Sequence, residues 1–234
     1  MQLFYAPELD IETTTYSFDK EESKHIVKVL RKKEGDQLHI TNGNGFLFHC
    51  EIRLATERKC LVEIMQYEQF SKRNFSIHLA VAPTKMNDRF EWFLEKATEI
   101  GIDEITPIIC DHSERKIIKT ERFHKIIVSA MKQSNQMFLP KLNEPISFKK
   151  FIQNPILGER FIAHCDDLYK TPLKDNFTLN SAYTLLIGPE GDFSKAEIEL
   201  AIESMYQPVT LGQTRLRTET AAIVACHSFV YGNE

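Results

Sequence analysis

The 234-residue sequence predicts an α/β protein with a mostly parallel sheet flanked by helices, preceded by a small β-rich module. Three observations carry this. From Phe75 onward, strand-like apolar runs alternate with segments whose apolar residues recur at helical spacing. Before that point, short runs of strand formers are separated by turn residues. Near the C-terminus, Gly188-Pro189-Glu190-Gly191-Asp192-Phe193-Ser194 and Leu211-Gly212-Gln213-Thr214-Arg215-Leu216-Arg217-Thr218-Glu219-Thr220-Ala221 each follow a strand-like run and precede a helical one. Open α/β sheets bind ligands at such strand ends.

In chain order, a helix is expected from about Asp19, with Asp19 and Glu22 as a capping box and Ile26, Val29 and Leu30 on one face. Strands follow at 37–41, 46–54 and 60–66, the first two joined by the hairpin turn Asn42-Gly43-Asn44-Gly45. Residues 67–74 read as a linker, which divides the chain into a module at 1–70 and a larger domain at 74–234. In the larger domain, 77–82 is a strand, and Phe90, Phe93, Leu94, Ala97 and Ile100 mark one face of a helix closed by Gly101. Strand 105–109 and a helix from about Thr120 burying Phe123, Ile126, Ile127 and Ala130 come next. Strands at 161–164, 183–187 and 208–211 complete the sheet; Ser194 and Glu197 cap one helix, and 218–230 forms the last.

Composition bounds the function. The chain is 42% hydrophobic and carries a net charge of −4, with 11 basic and 12 acidic side chains in residues 1–73. Overall basicity therefore does not announce a nucleic-acid partner, and any RNA contact must be local. The best patch is Lys24, Lys28, Arg31, Lys32 and Lys33, along the first helix and its exit, with a solvated helix face as the alternative. Five widely spaced cysteines with no CxxC pair argue against disulfides and zinc, and eight scattered histidines lack ligand spacing, so no metal is expected. The N-terminus lacks a basic, apolar leader and no segment is long enough to span a bilayer, which predicts a cytoplasmic protein with no membrane partner.

The two C-terminal loops narrow the chemistry. Small residues at Gly188, Gly191 and Gly212 allow close backbone approach to a ligand, while Glu190, Arg215, Arg217 and Glu219 place charge beside it. In this order the loops resemble the cofactor-binding end of the SPOUT methyltransferases, specifically the family of ribosomal RNA small-subunit methyltransferase E. The resemblance extends to His25-Ile26-Val27-Lys28-Val29-Leu30-Arg31 with Gly35-Asp36, and to Lys85-Met86-Asn87-Asp88-Arg89-Phe90-Glu91 with Lys96-Ala97-Thr98-Glu99-Ile100-Gly101. Positions 131–136 match less well: only Gln133 and Ser134 fit, and Lys132, Asn135 and Gln136 depart. Asp192 stands where the family commonly has glycine.

The resemblance implies a PUA-like RNA-binding β-barrel followed by a SPOUT domain with a C-terminal trefoil knot. It implies S-adenosylmethionine as cofactor, held by Leu186, Ile187, Gly188, Pro189, Glu190, Gly191, Leu211, Gly212 and Leu216. It implies methyl transfer to N3 of a uridine in 16S rRNA of the small ribosomal subunit, position 1498 in the usual rRNA numbering. Arg217 is the first candidate for stabilising developing charge, with Glu190 and Glu219 as base or as groups orienting the arginine; for each acid the alternative is a helix N-terminal charge. A homodimer is expected, with Ala221, Ala222, Val224, Ala225 and Phe229 of the last helix as a packing face. Two other readings are a non-catalytic RNA-binding protein that keeps the knotted scaffold and a SPOUT enzyme acting on another RNA.

Overall fold

The computed structural model describes residues 1–166 and 169–234. It forms two compact units, one of Met1–Lys72 with Met131–Leu139, the other of Arg73–Ala130 with Pro140–Glu234.

The first unit is a five-stranded sheet of β1 (Leu3–Tyr5), β2 (Thr15–Ser17), β3 (Gln37–Thr41), β4 (Phe46–Thr56) and β5 (Lys59–Gln69) in the order β1-β3-β4-β5-β2. Its core gathers Phe4, Phe18, Ile26, Leu38, Ile40, Phe48, Ile52 and Val62. The hairpin between β3 and β4 forms as expected. The supposed linker is shorter, because β5 runs on to Gln69 and Tyr67 packs its ring on Phe46 and Phe48 at 6.0 and 6.3 Å.

The first helix also differs from expectation. α1 covers only Lys20–Lys24 and continues as a single π turn over His25–Val29. A π turn takes more residues than an α turn, so the helical spacing slips. Ile26 stays buried, while Val29 turns outward and is 65% exposed. Asp19 caps the helix by accepting from the Glu22 N–H at 2.8 Å. The Glu22 carboxylate does not close the box: it meets Lys132 at 3.0 Å, within the same unit.

Among the described residues, the second unit holds eight parallel strands. These are β6 (Ser76–Val81), β7 (Glu104–Ile109), β8 (Lys141–Leu142), β9 (Ile146–Ser147), β10 (Glu159–Ala163), β11 (Thr171–Pro172), β12 (Ala182–Ile187) and β13 (Gln207–Thr210). Their order is β11-β13-β10-β12-β6-β7-β8, with β9 also on β7. The helices are α2 (Asn87–Ile100), α3 (Thr120–Gln133), α4 (Phe148–Gln153), α5 (Lys195–Glu203) and α6 (Thr218–Asn233).

Side chains alternate across a strand, so the register sorts them between two faces. Ala80, Ile162 and Leu186 lie beside one another and pack with Phe148, Phe151, Ile198 and Ala201 of α4 and α5. Leu79, Phe161 and Leu185 form the neighbouring rows, and Phe161 meets Phe229 of α6 at 5.8 Å. Phe229 in turn stacks on Tyr183 at 4.4 Å. Two local signals work as read: Gly101 ends α2 with φ 108°, and Ser194 with Glu197 forms a reciprocal capping box for α5.

The proposed packing face of α6 is corrected. Ala222, Ala225 and Phe229 are fully buried in the chain's own core, so they are not free for a partner. What α6 leaves at its surface is half-buried Ile223 and Val224 and exposed Tyr231, stacked on His227 at 5.8 Å.

Candidate functional site

Three parallel strands, β10, β12 and β13, end side by side, and the loops that leave them surround two adjoining cavities of about 400 and 300 Å³. The walls share Ala163, Cys165, Arg215, Leu216 and Ala221. The loop after β13 lines the larger cavity with Leu211, Gly212 and Arg215, and the loop after β12 lines the smaller one with Gly188, Pro189 and Glu190.

The two loops are tied together. The Thr218 hydroxyl at the start of α6 donates to the Gly188 carbonyl at 3.0 Å, and the Arg215 guanidinium donates to the Glu190 carbonyl at 3.4 Å. Glu190 is exposed at the mouth and its carboxylate accepts from the Lys85 N–H at 2.9 Å. Arg217 is exposed, occupies the N-cap position of α6 and lines the smaller cavity. Its guanidinium has no hydrogen bond or ion pair among the described residues.

The glycines divide by role. A side chain at Gly188 would meet the Phe193 ring at 3.1 Å, and one at Gly191 would meet His112 at 3.2 Å, so both are small because the protein's own side chains fill the space. Gly212 is different. Its φ is +150°, and a Cβ there would have no atom of the described residues within 4 Å. It is the one glycine of the three whose open side is not filled by the protein's own side chains, and it lines the larger cavity.

Not every expected residue reaches the cavities. Ile187, Leu211 and Leu216 do. Leu186 is buried in the core against α4 and α5, because its strand position points it away from the loops, and neither it nor Gly191 lines either cavity. Glu219 is buried in the first turn of α6, with Oε1 3.9 Å from the Arg89 guanidinium and Oε2 without a hydrogen-bond partner among the described residues. In the first unit, Lys24, Lys28, Arg31 and Lys33 are exposed, whereas Lys32 is half-buried with its ammonium 3.4 Å from the Gln37 carbonyl.

A third loop, after β10, was missed by sequence reasoning. His164, Cys165 and Lys170 line the larger cavity. The signal was present: Ala163-His164-Cys165 ends a strand-like run, as the other two loops do, but lacks a glycine to draw the eye. The Asp192 carboxylate clamps this loop, accepting from the Cys165 N–H at 2.7 Å and from its neighbour Phe193 at 2.9 Å. Among the described residues there is no group of three His, Cys, Asp or Glu side chains placed to hold a metal, and no helix long and apolar enough to cross a membrane.

This geometry has close relatives. Residues 71–230 match the family model of the RNA methyltransferase domain, and residues 18–65 match that of the RNA methyltransferase PUA domain. The chain is 27% identical over 237 residues to ribosomal RNA small subunit methyltransferase E of Bacillus subtilis, covering 95% of this chain and 92% of that one. It superposes on the crystal structure of a probable rRNA-methyltransferase from Porphyromonas gingivalis with a TM-score of 0.92, at 40% identity over 100% of this chain and 98% of that one. It also superposes on the ribosomal RNA small subunit methyltransferase E of Neisseria gonorrhoeae bound to S-adenosyl methionine, with a TM-score of 0.84, at 26% identity and 97% and 95% coverage. A chain with this two-part match belongs to the RNA methyltransferase family of ribosomal RNA small subunit methyltransferase E.

Proposed function

We propose that this chain methylates N3 of a uridine in 16S rRNA, at position 1498 in the usual rRNA numbering, with S-adenosylmethionine as the methyl donor. One observation carries the reading: an open glycine cradle at Gly212 lies in a cavity adjoining that of an unpaired cation, Arg217. When bound, S-adenosylmethionine supplies a methyl group activated by a positively charged sulfur. Its adenine and ribose suit a slot walled by Leu211, Gly212 and Leu216, with backbone groups of Ile187, Gly188 and Pro189 alongside. The Glu190 carboxylate at the mouth complements a cationic ligand.

A neutral uridine holds a proton on N3 and is a poor nucleophile, so the chain must ease its loss while aligning N3 with the methyl group. Arg217 stabilises the developing uridine anion or a flanking phosphate. Of the two acids lining the smaller cavity, Asp192 is engaged by the Cys165 and Phe193 N–H groups, so Glu190 serves as base, whereas Glu219, buried against Arg89, orients basic side chains around it. The exposed amines of Lys24, Lys28, Arg31 and Lys33, with Lys32 behind them, bind the RNA backbone through the PUA-like module, and residues 74–234 carry the methyltransferase chemistry.

The protein works as a homodimer in the cytoplasm. α6 is apolar on more sides than its own core uses, and Ile223, Val224 and Tyr231 remain for a partner. The trefoil knot belongs to the same reading, supported by the strand order in which β13 enters between β10 and β11 before the chain turns into α6.

The test is methyl incorporation into small-subunit rRNA from labelled S-adenosylmethionine, with the product nucleotide mapped. Label on N3 of that uridine is expected. Label on another nucleotide would favour a SPOUT enzyme of different target, and cofactor binding absent from the intact chain would favour a non-catalytic RNA-binding protein.

A further inference from the structure

The segment between β7 and α3, residues 110–119, has no part in the reaction outlined above, yet it is lashed to the loop after β12. The Asp111 N–H donates to the Glu197 carboxylate at 2.9 Å, and the Asp111 carboxylate accepts from the Ser194 hydroxyl at 2.7 Å. His112 Nδ1 donates to the Gly191 and Asp192 carbonyls at 3.1 and 3.0 Å. Arg115 donates to the Lys85 carbonyl at 2.7 Å, and the Lys85 N–H is the one held by Glu190, which lines the smaller cavity. The first half of the loop is therefore fixed against the mouth of the site. Its second half points nothing inward: Lys116 and Lys119 are exposed, and Ile117 beside them is 85% exposed. Neighbouring cations are engaged, Lys85 with Glu114 at 2.8 Å and Arg122 with Glu91 at 2.7 Å. The ammonium groups of Lys116 and Lys119 have no hydrogen-bond or ion-pair partner among the described residues.

We propose that this loop holds the RNA strand carrying the target base, with Lys116 and Lys119 on its phosphates and Ile117 against an unstacked base. This rests on the RNA substrate of the proposed function and gives the methyltransferase unit a contact of its own, in addition to the basic patch of the first unit. N3 lies on the pairing edge of uridine, so the base is unpaired when it is methylated and the strand on either side has to be held open. Single strands are held by cations that track the phosphates, and opened stacks by apolar side chains that enter between bases. The loop offers both, and the chain of bonds from Arg115 through Lys85 to Glu190 ties them to the cavity where the base would react. An aliphatic side chain left in water gains nothing, whereas packing it on a base removes its apolar surface from solvent.

The experiment measures binding of the full chain to a fragment of small-subunit rRNA over a salt series, with S-adenosylmethionine affinity followed in parallel by calorimetry. Lys116→Gln with Lys119→Gln should bind the RNA roughly tenfold more weakly and make the slope of log affinity against log salt shallower by about 1.4, two phosphates at about 0.7 each on a single strand. Cofactor affinity should not change. Lys116→Arg with Lys119→Arg keeps both charges and should restore the wild-type slope. Lys149→Gln with Lys150→Gln removes the same charge from exposed positions on α4 and should leave the slope as it is. Ile117→Ser should weaken RNA binding several-fold with the slope unchanged, because no phosphate contact is lost. A glutamine pair at 116 and 119 that keeps the wild-type slope, or an α4 pair that flattens it equally, overturns the proposal; Ile117→Ser that binds like wild type strikes the apolar contact from it. Wild type that binds neither the rRNA fragment nor the cofactor would sink the proposed function itself, whereas wild type that binds both while the loop variants match it sinks this inference alone.

Discussion

The loops after β12 and β13 both look, as strings of letters, like glycine-bearing ligand loops, yet they are built for opposite purposes. In the first, Gly188 and Gly191 are pressed against Phe193 and His112, and the loop is a packed wall. In the second, Gly212 faces empty space with a backbone angle that other residues rarely adopt. A glycine motif alone does not say whether the missing side chain makes room for a ligand or for the protein itself.

The contrast breaks most sharply at Gly212. Gly212→Val should abolish S-adenosylmethionine binding in a calorimetric titration, and its cost in stability is the backbone strain of a branched residue at φ +150° rather than overpacking. Gly188→Val should destabilise by overpacking instead. Overpacking against Phe193 costs about 1–3 kcal/mol, which for a chain of this size lowers the melting temperature by roughly 2–4 °C per kcal/mol. A Gly212→Val variant that still binds the cofactor, or a Gly188→Val variant that melts like wild type, would erase the distinction.

Within the second loop, Arg217→Ala should cut methyl transfer by roughly 10²–10³, the scale of removing one preorganised electrostatic group, with cofactor affinity within a few-fold of wild type. Lost cofactor binding, or a normal methylation rate, would remove Arg217 from its assigned role. Next in size is the double charge reversal Lys28→Glu with Arg31→Glu. It should weaken RNA binding and flatten its salt dependence by roughly two phosphate contacts, leaving cofactor affinity alone. Binding that keeps its salt slope would show this face to be merely solvated.

The smallest effect is expected at Asp192. Its φ of 63° already suits glycine, so Asp192→Gly should barely change the melting temperature. It removes the carboxylate that clamps Cys165, however, and should loosen the loop after β10 enough to weaken cofactor binding several-fold. Asp192→Asn keeps an acceptor and should restore most of it. Cofactor titrations of the two variants that coincide with wild type would make the clamp incidental.

Features that depend on a few neighbouring residues were legible in the sequence: the Gly101 stop, the Ser194 and Glu197 box, the alternation of strands and helices, and two of the three strand-end loops. Their causes are local, since a capping side chain reaches three residues along and a strand's alternation repeats every two. What depends on distant partners was not. The outward turn of Val29 follows from a π turn whose cost is met by the packing of the surrounding core. Met131–Leu139 joins the first unit across about sixty residues of intervening chain, with Met137 packed on Leu3 and Leu47. The inward face of α6 at Phe229 was chosen by Phe161 and Tyr183, 68 and 46 residues away in sequence, as residues of one apolar helix compete for a single core. The sequence by itself thus determined the elements, the order of the strand-end loops and the family; only the tertiary structure decided which glycine opens on a cavity and which are pressed against the protein's own side chains, because this depends on what other segments bring to the same few ångströms.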